Sequence, residues 1–128
     1  MTSFLGKTRH PAIDRRLKEI LREVKRENAE IKAPFWLTME VANGIRFTIE
    51  DEIAAEKVLN SFFALPVNYF PFSNGQITEV LLLSLELGTT VYDTAYHFLA
   101  ILLDGTFLTC DREYYKRASK LGHIEVLK

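Results

Sequence analysis

Three acidic side chains lie in apolar stretches of this sequence, where a carboxylate is uncommon. Glu40 follows the apolar run that begins at Phe35, Asp93 opens an apolar helical segment, and Asp111 directly follows a predicted strand. Carboxylates are rarely enclosed unless they pair with a cation or bind a metal. If the three converge, their hard oxygen atoms suit Mg²⁺ or Mn²⁺. Such a site would support metal-assisted hydrolysis of a phosphodiester bond.

Two of these acids also have a structural interpretation, and both interpretations stay open at this point. Asp93 could be the N-cap of its helix, and Asp111 could cap the helix that follows its strand. Ligands of open α/β sheets bind at the carboxyl ends of strands, which favours a functional Asp111. Alternation along the strand places Thr109 on the side of Asp111, so Thr109 could share the site. Cys110 points to the other side and is expected to be a small buried apolar residue.

Regular alternation of helices and short strands predicts how these side chains are positioned. Capping boxes are expected at Thr48/Asp51 and Ser73/Gln76, each at the start of a helix. The expected elements, in chain order, are helix Ile13–Asn28, strand Glu30–Ala33, helix Phe35–Ile45, a helix to Ala64, extended Pro66–Phe70, a helix to Leu87 stopped by Gly88, helix Asp93–Leu103, strand Thr106–Cys110, helix Arg112–Leu121 capped by Gly122, and strand His123–Leu127. This alternation predicts an α/β fold with a parallel sheet covered by helices.

The amino-acid composition limits the classes of protein to which this chain can belong. The chain has 128 residues, of which 48% are hydrophobic and 26% charged, which predicts one globular domain over residues 1–128. Its single cysteine, Cys110, excludes an intramolecular disulfide and a thiolate zinc site, and it favours a reducing cytoplasm. Neither a bilayer-spanning apolar run nor a signal peptide is expected, so a membrane or secreted protein is excluded.

Charge is distributed unevenly along the chain. Residues 1–32 carry nine Lys or Arg against five acids, residues 33–104 carry two against nine, and residues 105–128 carry five against three. A solvated surface explains such an asymmetry, and so does a basic rim that holds a polyanion near an acidic metal site. Four basic residues beside Asp111 fit either RNA phosphates or a solvated helix face: Arg112, Lys116, Arg117 and Lys120.

The remaining candidates are weaker. The three histidines are dispersed, and His97 is expected to be a packed or capping side chain of its helix rather than a catalytic one. Tyr114 and Tyr115 could stack on bases, although packing or a subunit contact is the more ordinary use of a tyrosine.

Three segments together resemble a known family. The residues Tyr92–Ala100 (YDTAYHFLA), Asp104–Asp111 (DGTFLTCD) and Ala33–Asn43 (APFWLTMEVAN) follow, in order and separation, the segments of PIN domains. In particular they resemble the VapC-type ribonuclease toxins, with their YDA-x-Y helix, their strand ending T-x-D and their A-P-x-x-x-x-E-V-A-N segment. The resemblance covers about Leu17 to Leu127.

The resemblance implies a three-layer α/β/α domain with a mainly parallel central sheet. It also implies an Mg²⁺-dependent (or Mn²⁺-dependent) endoribonuclease, the toxin of a toxin-antitoxin pair, with RNA as its substrate and a cognate antitoxin and a second copy as its partners. Glu40, Asp93 and Asp111 would be the metal ligands, and Thr109 would be the active-site hydroxyl. An excess of aromatic residues hints at a dimer or antitoxin groove: Phe62, Phe63, Tyr69, Phe70 and Phe72.

One departure from the family concerns its first strand and the Asp that ends it. This sequence opens without such a strand, and Ser3–Gly6 looks more like the end of the helix that should follow it. Asp14 opens a helix instead of ending a strand. Because that strand is central in the family's sheet, its neighbours are expected to keep unpaired backbone groups. Two hypotheses follow: a start site assigned too late, or a degenerate, inactive PIN-fold module that acts in dimerisation or protein binding.

Overall fold

The computed structural model describes residues 11–127, without the side chains of residues 11–14 and 17. The expectations for Ser3–Gly6 and for the Asp14 side chain lie outside this part. In chain order the elements are α1 (Pro11–Lys25), β1 (Ile31–Pro34), α2 (Leu37–Thr48), α3 (Glu52–Phe63), β2 (Val67–Phe70), α4 (Asn74–Leu87), α5 (Val91–Leu102), β3 (Phe107–Thr109), α6 (Arg112–Ala118), a 3₁₀ turn (Ser119–Leu121) and β4 (Ile124–Val126).

The described residues therefore form a mixed α/β structure with six α-helices and short parallel strands. β1 pairs in parallel with β2, and β3 pairs in parallel with β4. Within residues 11–127 these are two separate two-stranded sheets. The parallel direction of the strands confirms the α/β prediction, while the three-layer PIN arrangement stays a prediction.

The chain divides into two compact units, whose described parts run to Phe70 and from Pro71 onward. In the first unit, α2 buries one side chain per turn, at Leu37, Val41 and Ile45. A spacing of four residues places these side chains on one face of the helix. That face and Phe62 of α3 belong to the core of this unit.

In the second unit the core is built by α4, α5, β3 and α6. Leu99 of α5, Phe107 of β3 and Tyr114 of α6 are buried. The rings of Tyr96 and Phe107 stack with centroids 5.9 Å apart. Aromatic packing of this kind fixes the position of β3 against its helices.

Two of the expected helix boundaries are confirmed in atomic detail. The Ser73 hydroxyl accepts a hydrogen bond from the Gln76 amide (3.2 Å), and the Gln76 side chain accepts one from the Ser73 amide (2.9 Å). Gly88 ends α4 in the left-handed conformation, with φ of 69°. The capping box and the glycine stop therefore form where the sequence predicts them.

The predicted capping box at Thr48 is wrong. Thr48 is the last residue of α2, and its hydroxyl donates to the Gly44 carbonyl at 2.8 Å. The N-cap of α3 is Asp51, whose carboxylate accepts from the Ala54 amide at 2.8 Å. Asp51 lies next to the helix start and is itself a strong N-cap residue, so it takes the role.

The helices of the described region are too short or too polar to cross a membrane.

Candidate functional site

Asp93 lies in the first turn of α5, where its N-cap interpretation is wrong. The N-cap is Thr90, whose hydroxyl accepts a hydrogen bond from the Asp93 amide at 3.2 Å. The Asp93 carboxylate is half-buried. An acid in the first turn is stabilised by the partial positive charge of the helix N-terminus. The helix therefore does not need this carboxylate as its cap.

Asp111 does cap the helix that follows it. One carboxylate oxygen, Oδ1, accepts a hydrogen bond from the Tyr114 amide at 3.0 Å, and the side chain is half-buried. A capping aspartate uses one oxygen for the backbone, and its second oxygen can bind something else. The capping interpretation is thus confirmed, and a ligand role for the same side chain stays a prediction.

Thr109 is buried at the end of β3, with 1% of its surface exposed. Its hydroxyl oxygen accepts a hydrogen bond from the Asp111 amide at 3.0 Å. The position that the resemblance assigns to an active-site hydroxyl is therefore occupied by a group that orients the backbone of Asp111. This makes Thr109 a positioning residue in the described structure.

Tyr114 of α6 interacts with both Asp93 and Asp111, at different ends of the residue. Its amide binds Asp111, and the negative charge of Asp93 acts on its hydroxyl. The pKa of Tyr114 is raised, first by burial and then by Asp93, while a hydrogen bond from Thr94 opposes the rise. Asp111 therefore contacts the backbone end of this tyrosine, whereas the charge of Asp93 acts on its hydroxyl end.

His97 is the other polar group buried beside Tyr114. Its Nδ1 lies 2.8 Å from the Tyr114 hydroxyl, and its Nε2 lies 2.7 Å from the Gly122 carbonyl. A carbonyl only accepts, so Nε2 donates to Gly122. Burial lowers the pKa of His97, against a raising contribution from the Gly122 hydrogen bond, and the charge of His123 lowers it further. The ring is therefore neutral, and the Tyr114 hydroxyl donates to Nδ1.

This arrangement confirms that His97 is a packed residue of its helix and that Tyr114 packs rather than stacking on a base. The interpretation of the sequence missed the link between the two side chains. His97 lies in an apolar stretch of the sequence, which is a weak signal, but Tyr114 lies among charged residues and is 17 positions away, so the sequence hides their contact.

Glu40 belongs to the other unit. It lies in the first turn of α2, its amide donates to the Trp36 carbonyl at 3.2 Å, and its side chain is half-buried. Its membership of a site with Asp93 and Asp111 stays a prediction.

The basic residues that follow Asp111 are all exposed: Arg112, Lys116, Arg117 and Lys120. Lys116 lies 3.7 Å from Glu113, a pairing that is weak at a solvated surface. Exposure fits the solvated-face interpretation and leaves the side chains accessible to an RNA backbone. The expectation for Cys110 is wrong, because this residue is exposed. β3 ends at Thr109, so the alternation that predicted a buried cysteine does not extend to it.

The donor atoms of the second unit fit a hard divalent cation in their chemistry. Carboxylate oxygens of Asp93 and Asp111 are ligands that Mg²⁺ and Mn²⁺ prefer. In the part of the chain with described side chains, no group of three or more His, Cys, Asp or Glu residues is arranged to hold a metal. A metal site that includes Asp93 and Asp111 therefore stays a prediction.

No protein-family model and no curated protein matches this chain.

Proposed function

We propose that this chain is a metal-dependent endoribonuclease, acting in the cytoplasm as the toxin component of a toxin-antitoxin pair. The observation that supports the proposal is that Asp93 and Asp111 both belong to the second unit, where Asp111 accepts from the Tyr114 amide and the charge of Asp93 acts on the Tyr114 hydroxyl. The two acids lie in the order and separation in which the resemblance to PIN domains assigns metal ligands to them.

In this proposal Asp93 and Asp111 bind Mg²⁺ or Mn²⁺. Glu40, which belongs to the other unit, is the third ligand that the resemblance to PIN domains assigns. The bound ion would lower the pKa of a water molecule and stabilise the charge on the phosphate. Thr109 holds the Asp111 backbone in place, and the exposed basic face of α6 binds the phosphates on either side of the scissile bond. The cognate antitoxin and a second copy of the chain are its proposed partners.

The first experiment is a thermal melt with increasing Mn²⁺, because an ion that binds only the folded state must raise the melting temperature. We expect a rise that is lost in Asp93→Asn. Asp104→Asn is the matched control, since Asp104 is an acid of the same unit with 95% of its side chain exposed. The control is expected to respond to Mn²⁺ like the original chain.

Asp111 needs two variants, because it is both a cap and a proposed ligand. Asparagine caps a helix about as well as aspartate, whereas alanine does not. Asp111→Asn should therefore melt near the original temperature without metal and lose the Mn²⁺ response. Asp111→Ala should melt at a lower temperature without metal and should also lose the Mn²⁺ response. A metal response that survives Asp111→Asn would remove this residue from the site.

Cleavage of a fluorogenic RNA then tests the reaction itself. The proposal expects Mg²⁺-dependent cleavage that Asp93→Asn abolishes and that Glu40→Gln strongly reduces. A cooperative melt with neither a metal response nor cleavage would refute it, and would favour the rival hypothesis of an inactive PIN-fold module that acts in dimerisation or protein binding.

A further inference from the structure

One face of α4 presents an apolar stripe to solvent. Ile77, Leu81 and Leu85 recur every four residues and are 44%, 46% and 71% exposed, and the adjacent Leu82 is 60% exposed. A spacing of four residues aligns such side chains along one face of a helix. Single exposed apolar residues are ordinary, but a contiguous apolar patch of this kind marks an interaction site.

The face of α4 that adjoins this stripe is already used by its own unit. Val80, Ser84 and Leu87 are buried, and α4 packs against α5. The apolar surface of α4 is therefore wider than the part of it that contributes to the core. The exposed stripe is not needed to hold α4 in place.

The charges around this stripe have one sign. Glu79 and Glu86 are exposed and are the two charged residues of α4. Between Lys57 and Arg112 the sequence contains no Lys or Arg, so α5 likewise contributes only acids. A cation meets α4 at its C-terminal end, where Arg117 Nη1 lies 2.9 Å from the position that a Cβ on Gly88 would take. On the side of Leu82, three and four residues away, the stripe is bordered by the carboxylates of Glu79 and Glu86.

These charges decide between the possible occupants. Two copies of α4 packed along their stripes would each bring Glu79 and Glu86 to the interface, where like charges oppose association. A helix with an apolar stripe and flanking Lys or Arg residues would instead match both the shape and the charge.

We propose that the exposed face of α4 (Ile77, Leu81, Leu82 and Leu85) binds a cationic amphipathic helix of a partner protein. The apolar residues of that helix lie on the stripe, and its Lys or Arg side chains pair with Glu79 and Glu86. Neither Asp93 nor Asp111 takes part, so this interaction stands or falls independently of metal binding and RNA cleavage.

The test uses two synthetic helical peptides with the same leucine stripe, one with Lys and the other with Glu at its polar positions. Binding of each labelled peptide to the full chain is followed by fluorescence anisotropy at low and high salt. We expect saturable binding of the Lys peptide, at least about tenfold weaker binding of the Glu peptide, and a loss of affinity for the Lys peptide as salt rises.

Two pairs of substitutions locate the interaction. Leu81→Gln with Leu85→Gln should weaken binding of the Lys peptide about tenfold or more, because these two exposed leucines would contact the leucine stripe of the peptide. Glu79→Gln with Glu86→Gln should weaken it and flatten its salt dependence. Met39→Gln, at an apolar residue of α2 that is 73% exposed, is the control and should bind the Lys peptide unchanged. Circular dichroism verifies that every variant is folded. If the double variant of Leu81 and Leu85 does not fold, the single variant Leu82→Gln is used in its place.

Three outcomes would overturn the proposal. Equal affinity for both peptides would remove the role of charge. Undiminished binding of the Lys peptide to the leucine variants would place it elsewhere on the surface. A dimer, measured by light scattering, that dissociates in the leucine variants would assign the stripe to a second copy of the chain.

Discussion

Removing one hydroxyl group, in Tyr114→Phe, tests the buried cluster of His97, Tyr114 and Gly122. The Tyr114 hydroxyl is 2.8 Å from His97 Nδ1, and His97 has no exposed surface. Nε2 donates to the Gly122 carbonyl at 2.7 Å, so Nδ1 of the neutral ring is an acceptor that needs a donor. Phenylalanine leaves that acceptor buried without its partner. An unsatisfied buried polar group costs about 1–3 kcal/mol, and we expect the free energy of unfolding to fall by that amount.

A double-mutant cycle separates this interaction from the general loss of a hydroxyl. His97→Leu removes the acceptor, so Tyr114→Phe made in that background should cost less than about 0.5 kcal/mol. The coupling between the two positions is then on the order of 1–2 kcal/mol. Urea unfolding at pH 7.5, followed by circular dichroism, measures all four free energies.

Tyr115→Phe is the matched control, because Tyr115 is the neighbouring half-buried tyrosine of α6. It should stay within about 0.5 kcal/mol of the original chain. The interpretation is refuted if Tyr114→Phe is equally neutral. It is also refuted if Tyr114→Phe costs as much in the His97→Leu background as in the original chain, since the hydroxyl would then act through another group.

Three further perturbations have expected outcomes. The pKa of His97 is lowered in the folded chain, so below about pH 6.5 the unfolded state binds more protons. The contribution of His97 to the free energy of unfolding is fully present above pH 6.5 and is lost as the pH falls toward the folded pKa. In this range the free energy of unfolding should change with pH by up to about 1.4 kcal/mol per pH unit. An equal slope in His97→Leu would contradict this assignment. Gly88→Ala should cost about 1–2 kcal/mol or more in chemical unfolding, because φ is +69° and the new Cβ would lie 2.9 Å from Arg117; a neutral result would exclude the left-handed cap. Ser73→Ala should cost about 1 kcal/mol, whereas Ser61→Ala, at a serine inside α3 that bonds only its own helix, should cost clearly less; equal losses would argue against the capping box.

Local features of the fold were predictable from the sequence because they depend on a few neighbouring residues. Ser73, Gln76 and Gly88 define both ends of α4 without any distant contact. Where two capping residues compete, the pattern alone does not decide. Thr48 and Asp51 are both suitable N-caps, as are Thr90 and Asp93. The structure uses Asp51 and Thr90, whereas the sequence pattern predicts Thr48 and also allows Asp93.

Strand pairing was predictable only in its direction. Helices between successive strands require parallel pairs, and both pairs are parallel. Which strands become neighbours depends on hydrogen bonds between distant residues, and periodicity does not report them. The cluster of His97, Tyr114 and Gly122 was not predictable for the same reason, since its members come from α5, α6 and the turn before β4.

The register of β3 also explains how Asp111 reaches its position. Phe107 donates to the His123 carbonyl and Thr109 accepts from the Leu127 amide, so the backbone of these two residues faces β4. Alternation then turns the amide and carbonyl of Leu108 away from β4. After Thr109 the strand ends, and the Thr109 hydroxyl binds the Asp111 amide and redirects the chain into α6. The carboxylate is thus fixed from both sides, through Thr109 behind it and Tyr114 ahead of it. Such preorganisation serves a helix cap and a metal ligand equally well, because both need one carboxylate held in one orientation. Capping and metal binding are therefore not competing explanations of Asp111, and only the contrast between its Asn and Ala variants separates their contributions.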